Sequence, residues 1–371
     1  MSDAQWPDDL LDQARGMGDP LADDAIAEIY VLGQEHQVRQ ALLAFGRNSD
    51  VVPDGLPPKL RRYFEESAVL PAWAEPALLD GDHGQLGRHL PLVTTTLLCG
   101  ALPLTYGCAY GVEVLYRSQR LTSGVYRRLS ETAQFLSDVL ETGGLGPGGR
   151  ALRSAQKIRL LHATMRYHLS RQEDWNTTVW GVPLNQEDLA GTLMCFSERI
   201  PAGLGLLGVD LPVRDRDSYF HTWRVVGHVL GVDGLLNPPD YDAGSSLRST
   251  IARRQQRPSE AGGELTKVLL DFIREMLPGP ALAGVGPALI RHLAGDHAAD
   301  IIGVPAADFT QLAVGLATGL DFGYGKTVDT VPLAAKAANE LGTVALREGL
   351  RLANKGRRRE WQVPTGLTPA S

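Results

Sequence analysis

Helical spacing of apolar residues runs through most of this chain, whereas the alternating apolar–polar pattern of strands is scarce. In residues 151–170, apolar side chains recur every three or four positions: Ile158, Leu161, Met165 and Leu169. This interval places them on one face of a helix, which predicts burial of that face. The same spacing predicts further helices over residues 22–46, 124–141, 185–200, 218–232, 262–277, 307–320 and 332–352. We therefore predict an all-α protein.

The composition is that of a folded chain with a sizeable core. Of the 371 residues, 43% are hydrophobic and 21% are charged, which excludes a disordered or collagen-like protein. No internal repeat, low-complexity block or coiled-coil register divides the sequence, and the glycine-rich stretch at 142–150 predicts a turning loop. We predict one large helical domain, residues 1–371, whose tail over 355–371 is frayed.

Charge and cysteine content bear on partners and location. The net charge of −7 argues against a nucleic-acid partner, because phosphate binding requires a basic surface. Cys99, Cys108 and Cys195 have apolar neighbours and form no CxxC pair, so we expect buried, inert thiols in a reducing compartment. The acidic N-terminal residues lack a basic-then-apolar export signal. These observations predict a cytoplasmic protein.

Residues 90–112 contain no charged side chain, and a run of this length can span a bilayer. However, Pro91, Pro103 and the three threonines at 94–96 interrupt it. We therefore expect a buried, broken helix pair and no membrane span.

The best candidate for chemistry is His162, because the sequence has no phosphate-binding glycine loop after a strand, no GxSxG and no HExxH motif. His162 shares the apolar face of Ile158 and Met165, and Arg159 and Arg166 flank it at i−3 and i+4. This arrangement suits an iron porphyrin: the imidazole would bind iron and the arginines would meet the propionates. The alternative is a core histidine bonded to a backbone carbonyl.

Two further sets of polar residues are candidates either for a role in catalysis or for an ordinary solvated surface. Arg128, Glu131 and Thr132 share one helix face beside an apolar stripe, either as a polar cluster over a cofactor or as a solvated edge. Glu113 ends the uncharged run; an isolated carboxylate there would have a raised pKa and suit a general base. Alternatively, Glu113 reaches solvent or pairs with Arg117 at i+4.

The remaining histidines give no metal site. His221 and His228 are seven residues apart and share a helix face, which favours packing. His83, His89 and His168 have no spacing typical of metal ligands.

Five blocks in this order resemble the rubber oxygenase catalytic domain family, which includes latex clearing protein and mpaB-type oxygenases. The blocks are GDPLADDAI (18–26), RRLSET (127–132), KIRLLHATMRYHL (157–169), WGVPLNQEDLAGTL (180–193) and FHTWRVVGHVLGVD (220–233). The resemblance covers a core of about residues 15–280, and helices over 281–354 follow it. It implies a globin-like helical core with surrounding helices that holds haem b.

The resemblance also implies roles for individual residues. The family's Arg-x-x-His pattern falls on Arg159 and His162, which makes His162 the iron ligand. Its Arg-x-x-Lys-Thr cluster falls on Arg128, Glu131 and Thr132, and its glutamate base aligns on Glu113 with a one-residue offset. Because Glu131 replaces a lysine able to ligate iron, we expect water at the sixth site or a hydrogen bond from Glu131 to bound oxygen.

Together these features predict a haem b-dependent oxygenase that uses O2. Its substrate would be a small or medium hydrophobic molecule, an isoprenoid or other natural product, modified by C=C cleavage or hydroxylation. Polymeric rubber cannot enter a cell, so we expect no rubber cleavage. A peroxidase or peroxygenase that uses peroxide, a haem-based gas-binding protein and a helical scaffold without haem are the alternatives. No pattern fixes the oligomeric state, and a homodimer stays open.

Overall fold

The computed structural model describes residues 6–43, 45–79, 86, 88–118, 131–307 and 330–353. This part of the chain contains helices, turns and loops, and its β-structure is limited to an isolated antiparallel bridge between Cys108 and Gln256. The predicted all-α fold is confirmed. The globin-like character of the core stays a prediction.

The N-terminal helices are α1 (Asp8–Arg15), α2 (Pro20–Leu32), α3 (Glu35–Leu43), α4 (Pro58–Glu66) and α5 (Pro76–Leu79). The central ones are α6 (Leu90–Thr96), α7 (Leu102–Tyr106), α8 (Val112–Arg117), α9 (described over 131–140), α10 (Ala151–Leu169) and α11 (Thr177–Trp180). The later ones are α12 (Gln186–Ser197), α13 (Arg199–Leu206), α14 (Val213–Val229), α15 (Tyr241–Gln255), α16 (Glu260–Met276), α17 (Val285–Ala294), α18 (Asp296–Ile301) and α19 (Thr330–Ala353). Short 3₁₀ turns lie at Gly234–Leu236 and Pro280–Leu282.

Most of the predicted helices are present with shifted ends. The segment predicted as one helix over 22–46 is two, because Gly33 adopts the left-handed conformation (φ 62°) and ends α2. The helix predicted over 185–200 is likewise divided, into α12 and α13. Asn185 caps α12: its side-chain oxygen accepts a hydrogen bond from the Asp188 amide at 3.0 Å. Most of the helix predicted over 307–320 and the tail over 355–371 lie outside the described residues.

The uncharged run is a buried, broken helix, as predicted. A π-helical turn, Leu97–Ala101, joins α6 to α7, and both helices are largely buried. Helix α19 packs against α6, and the Thr95 hydroxyl donates to the Ala338 carbonyl at 2.6 Å. Among the described residues, no helix is both long enough and apolar enough to cross a bilayer.

Helix α10 lies where separate hydrophobic clusters meet. Its Ile158 belongs to the largest cluster, Leu160 packs with α2 and α4, and Leu161 packs with Trp175. Its buried polar residues find partners in neighbouring elements; for example, Lys157 donates to the Leu42 carbonyl at 2.8 Å. Because it has neighbours on every side, α10 can hold a functional side chain in a fixed orientation.

Candidate functional site

His162 is half-buried near the middle of α10, and its Nδ1 atom is sealed from solvent. On its face of the helix, Ile158, Leu161 and Met165 each keep 7% of their surface exposed. By contrast, Leu160, which turns toward α2 and α4, is fully buried. His162 itself is therefore less buried than its apolar neighbours on α10.

Arg159 is held by a buried carboxylate of α2. Its Nε and Nη2 donate to the two oxygens of Asp19 at 2.6 and 2.8 Å, and its Nη1 donates to the Val229 carbonyl at 3.1 Å. Although burial opposes the charge, the Asp19 hydrogen bond raises the pKa of Arg159 above its usual value. Gly231 (φ 81°) makes the close approach feasible, because a Cβ there would lie 2.5 Å from Nε of Arg159.

Arg166 has a similar anchor one helical turn beyond His162. Its Nε donates to Asp23 at 2.7 Å and its Nη1 to the Leu184 carbonyl at 3.1 Å. A guanidinium buried this deeply requires an internal countercharge, and Asp19 and Asp23 supply it. Both arginines were predicted to meet propionates; the structure pairs them with protein carboxylates, and the propionate role stays a prediction.

Glu113 is not the isolated carboxylate that the sequence suggested. Its Oε2 accepts from Nε of Arg117 at 3.0 Å, which was the alternative considered. Arg117 also pairs with Asp174 and lies 4.7 Å from the centroid of the Trp180 ring. Glu113 therefore belongs to a charged pair at the border of the Trp175–Trp180 cluster, and its role as a base stays a prediction.

Glu131 and Thr132 stand at the start of the described part of α9, and Arg128 lies outside the described residues. Glu131 is buried, with 8% of its surface exposed, and Thr132 is half-buried. A solvated edge does not describe Glu131, because a carboxylate at this depth is excluded from bulk water.

A buried hydrogen bond joins α9 to α10. The loop 141–150 connects the two helices, and the Ser154 hydroxyl donates to Asp138 at 2.6 Å. Glu131 precedes Asp138 by seven residues and Leu161 follows Ser154 by seven, so each lies about 10 Å along its helix from that contact. Seven residues are two turns, so Glu131 repeats the face with which Asp138 meets α10.

Comparison with known proteins identifies the family of this chain. Residues 88–320, more than half of the chain, match the family described as "ER-bound oxygenase mpaB/B'/Rubber oxygenase, catalytic domain". The chain belongs to this family. It is therefore an oxygenase, an enzyme of the oxidoreductase class.

The similarity to two relatives extends over nearly the whole chain. The rubber oxygenase of Streptomyces sp. (strain K30) is 25% identical over 362 residues, which is 95% of this chain and 86% of the relative. The structure of latex clearing protein LCP in the closed state matches with a TM-score of 0.76 at 23% identity and covers 95% of each chain. At that identity the structural match establishes the fold.

A network of charged residues, which the sequence did not reveal, lies where α1, α12 and α15 meet. Glu187 is fully buried and accepts from Nη1 of Arg15 at 3.1 Å and from Nε of Arg254 at 2.9 Å. Burial raises the pKa of the adjacent Asp188 to about 6. These residues come from α1, α12 and α15, so no local sequence pattern connects them.

The same network borders a cavity of about 600 Å3. The residues that line it are mostly polar: Asp12, Arg15, Gly16, Tyr110, Thr177, Thr178, Val179, Gly181, Glu187, Arg254, Gln255 and Arg257. The Tyr110 ring lies between the guanidinium groups of Arg15 and Arg257, each 4.6 Å from its centroid. Carboxylates neutralise Arg15 and Arg254, so we assign the cavity no ligand.

His221 and His228 have the packing role that the sequence favoured. His221 Nε2 accepts from the Glu75 amide at 3.0 Å, and His228 Nε2 lies 3.3 Å from the Val69 carbonyl oxygen. The Trp73 ring stands edge-on to both imidazoles. These contacts fasten the segment 69–75 to α14.

Proposed function

We propose that this member of the rubber oxygenase family is a haem b-dependent oxygenase that acts on a small or medium hydrophobic substrate with O2. The observation that carries the proposal is the placement of His162. It is half-buried on an apolar face of α10 that it shares with Ile158, Leu161 and Met165, and its Nδ1 atom is shielded from solvent. Family membership independently favours oxygenase chemistry.

The residues present fit a haem. The porphyrin supplies four ligands to iron, so the protein needs to add only one imidazole, and His162 offers it. The apolar side chains of Ile158, Leu161 and Met165 provide the surface against which a macrocycle packs. Consistent with a single protein ligand, the described residues contain no group of three or more His, Cys, Asp or Glu that could hold a metal by itself. When bound, haem would supply O2 binding and activation.

The chain's own residues would orient the imidazole. Asp19 and Asp23 fix Arg159 and Arg166, which stand one turn before and one turn after His162. These two ion pairs prevent α10 from rotating about its axis, so the His162 ring keeps one direction. In this proposal Arg159 and Arg166 act as positioning residues, whether or not they also meet the propionates.

Glu131 would donate or accept a proton at the reacting centre. A carboxyl group near a reacting centre can donate or accept a proton. Thr132 and Arg128 would orient the groups that bind near Glu131. Glu113, paired with Arg117, is the second candidate for proton transfer. The substrate would be isoprenoid or another hydrophobic natural product, and its modification would be C=C cleavage or hydroxylation.

The test is the absorption spectrum of the purified full-length chain as isolated, after reduction and with carbon monoxide. We expect a Soret band that shifts to a histidine-ligated carbonyl form. His162→Ala should lose haem, whereas the control His168→Ala, on the same helix, should retain it. Glu131→Ala should keep haem and change the haem absorption bands that depend on the sixth iron ligand.

The outcomes separate the candidate functions. No Soret band after addition of hemin would refute the proposal and favour a helical scaffold. Full haem content in His162→Ala would refute the ligand assignment. Turnover supported by peroxide and not by O2 would indicate a peroxygenase, and reversible carbon monoxide binding without turnover of any isoprenoid would indicate a gas-binding protein.

A further inference from the structure

An aromatic cluster outside the proposed haem site lies at the C-terminal end of α10. The Tyr30 hydroxyl and Nε2 of His168 are 2.8 Å apart. The rings of Tyr30 and Tyr167 are stacked, with centroids 4.5 Å apart and an interplanar angle of 15°. All three side chains are half-buried, so small molecules in solution can reach them.

The hydrogen-bonded pair is arranged for coupled loss of a proton and an electron. When His168 is neutral and carries its proton on Nδ1, the Tyr30 hydroxyl donates to Nε2 of His168. Burial lowers the pKa of His168, which keeps the imidazole neutral and able to take a proton. Burial, with the nearby Glu35 carboxylate, raises the pKa of Tyr30 to about 12, so the phenol keeps its proton until it is oxidised.

Charge around the stacked rings selects Tyr30 as the site of oxidation. The Arg171 guanidinium carbon lies 3.5 Å from the centroid of Tyr167, and a cation over a ring opposes removal of an electron from it. Glu35 instead places negative charge near Tyr30, which favours electron removal. Of the two stacked tyrosines, Tyr30 is therefore the easier to oxidise.

His168 of this pair lies on the same helix as the proposed haem ligand. His168 follows His162 by six residues on the same helix, which is about 9 Å along the axis. We propose that Tyr30, with His168 as its proton acceptor and Tyr167 stacked on it, is a surface one-electron oxidation site that returns an electron to peroxide-oxidised haem. The inference rests on the proposed haem function.

Tyr30 gives one electron to the oxidised haem, which is reduced by one electron, and the O–H bond of Tyr30 breaks as its proton forms a new N–H bond at Nε2 of His168. The products are a neutral tyrosyl radical and an imidazolium. A small reductant of the ascorbate class then supplies one electron, and the proton returns from His168 to the Tyr30 oxygen.

Two other tyrosines show why this environment is distinctive. The Tyr110 hydroxyl accepts from Nη1 of Arg257 at 2.6 Å, and its ring lies between two guanidinium groups. The Tyr63 hydroxyl donates to the Gln156 carbonyl, which is a poor base, and the side chain is fully buried. Tyr110→Phe is therefore a matched control for Tyr30→Phe.

The first part of the test needs no haem. A photogenerated tris(bipyridine)ruthenium(III) oxidises the full-length chain in solution, and transient absorption and electron paramagnetic resonance record the tyrosyl radical. We expect the main radical signal to vanish in Tyr30→Phe and to persist in Tyr110→Phe. His168→Gln, which accepts a hydrogen bond and cannot take the proton, should slow the oxidation about a hundred-fold, the effect of losing one positioned base. An undiminished signal in Tyr30→Phe overturns the inference.

The second part adds hydroperoxide to the haem-loaded chain and freezes it for paramagnetic resonance. A tyrosyl radical that disappears in Tyr30→Phe supports the inference. A chain that binds haem and forms no radical at Tyr30 overturns the inference and leaves the proposed function intact. Failure to bind haem appears in the absorption spectrum before peroxide is added; it refutes the proposed function and the link to haem, and the ruthenium experiment then decides whether Tyr30 is an oxidation site.

Discussion

Asp188 is a carboxyl group whose surroundings oppose its ionisation. Burial raises its pKa from 3.8 to about 6, against the opposing effects of the Arg15 charge and the Gln255 hydrogen bond. The unfolded chain therefore releases this proton at a lower pH than the native chain does. The stabilising contribution is complete below about pH 4 and is lost as the pH rises through about 6.

Replacement of Asp188 by Asn should remove this pH dependence. The shift from 3.8 to about 6 corresponds to about 3 kcal/mol, so the stability of the native chain relative to Asp188→Asn should fall by about that amount between pH 4 and pH 7. Urea unfolding at several pH values measures it, and Asp9→Asn, at an exposed position on α1, corrects for net charge. A constant difference between the two proteins would contradict the expectation.

Gly231 is a residue where both the backbone and the available space require glycine. Its φ is 81°, and a Cβ would lie 2.5 Å from Arg159 and 2.7 Å from Asp19. Gly231→Ala should therefore separate the Arg159–Asp19 pair and cost about 3–5 kcal/mol, the usual penalty for a broken buried ion pair. Gly33 also has a positive φ (62°), but a Cβ added there would meet nothing within 4 Å. Gly33→Ala should therefore cost only the roughly 1–2 kcal/mol of backbone strain. Equal losses of unfolding free energy in Gly231→Ala and Gly33→Ala, measured by chemical denaturation, would contradict a clash between the added Cβ and Arg159.

At the scale of elements, the close packing of α19 on α6 depends on Gly342. A Cβ at this position would overlap the carbonyl oxygen of Pro91, and backbone atoms cannot move aside as a side chain can. Gly342→Ala should therefore displace α19 and lower stability by about 1–3 kcal/mol. Limited proteolysis of the C-terminal region and thermal unfolding would measure the effect.

A matched glycine tests whether the effect belongs to the contact. Gly205 lies within α13, and a Cβ added there would meet nothing within 4 Å. Gly205→Ala should be neutral or stabilise the protein by up to about 1 kcal/mol, because alanine favours the helix. Similar proteolysis of both variants would show that α19 does not depend on the Gly342 contact.

At the scale of the whole molecule, haem binding should stabilise the native state through linkage. A ligand that binds only the folded chain raises the unfolding free energy by about 4 kcal/mol at a thousand times its dissociation constant. Hemin should therefore raise the melting temperature of the unmodified protein and of His168→Ala, but not of His162→Ala. A comparable rise in His162→Ala would place haem elsewhere on the molecule.

Local sequence patterns predicted the elements well, because each depends on contacts within a few residues. The 3.6-residue period located α10 and placed His162 among apolar residues. The uncharged run with its prolines predicted the broken helix over α6 and α7. The helix over 22–46 was predicted as one, because the period alone does not reveal that Gly33 takes a positive φ.

The sequence by itself thus determined the helical class, the position of α10 in the chain and the family. Only the tertiary structure decided which charges meet: Arg159 with Asp19 across 140 residues, Glu187 between Arg15 and Arg254, and Tyr30 with His168. Helical periodicity reports which side of a segment is buried and not which other segment covers it. Buried ionic and hydrogen-bonded partners are chosen when distant helices pack together, and the desolvation of their charges makes those pairings obligatory.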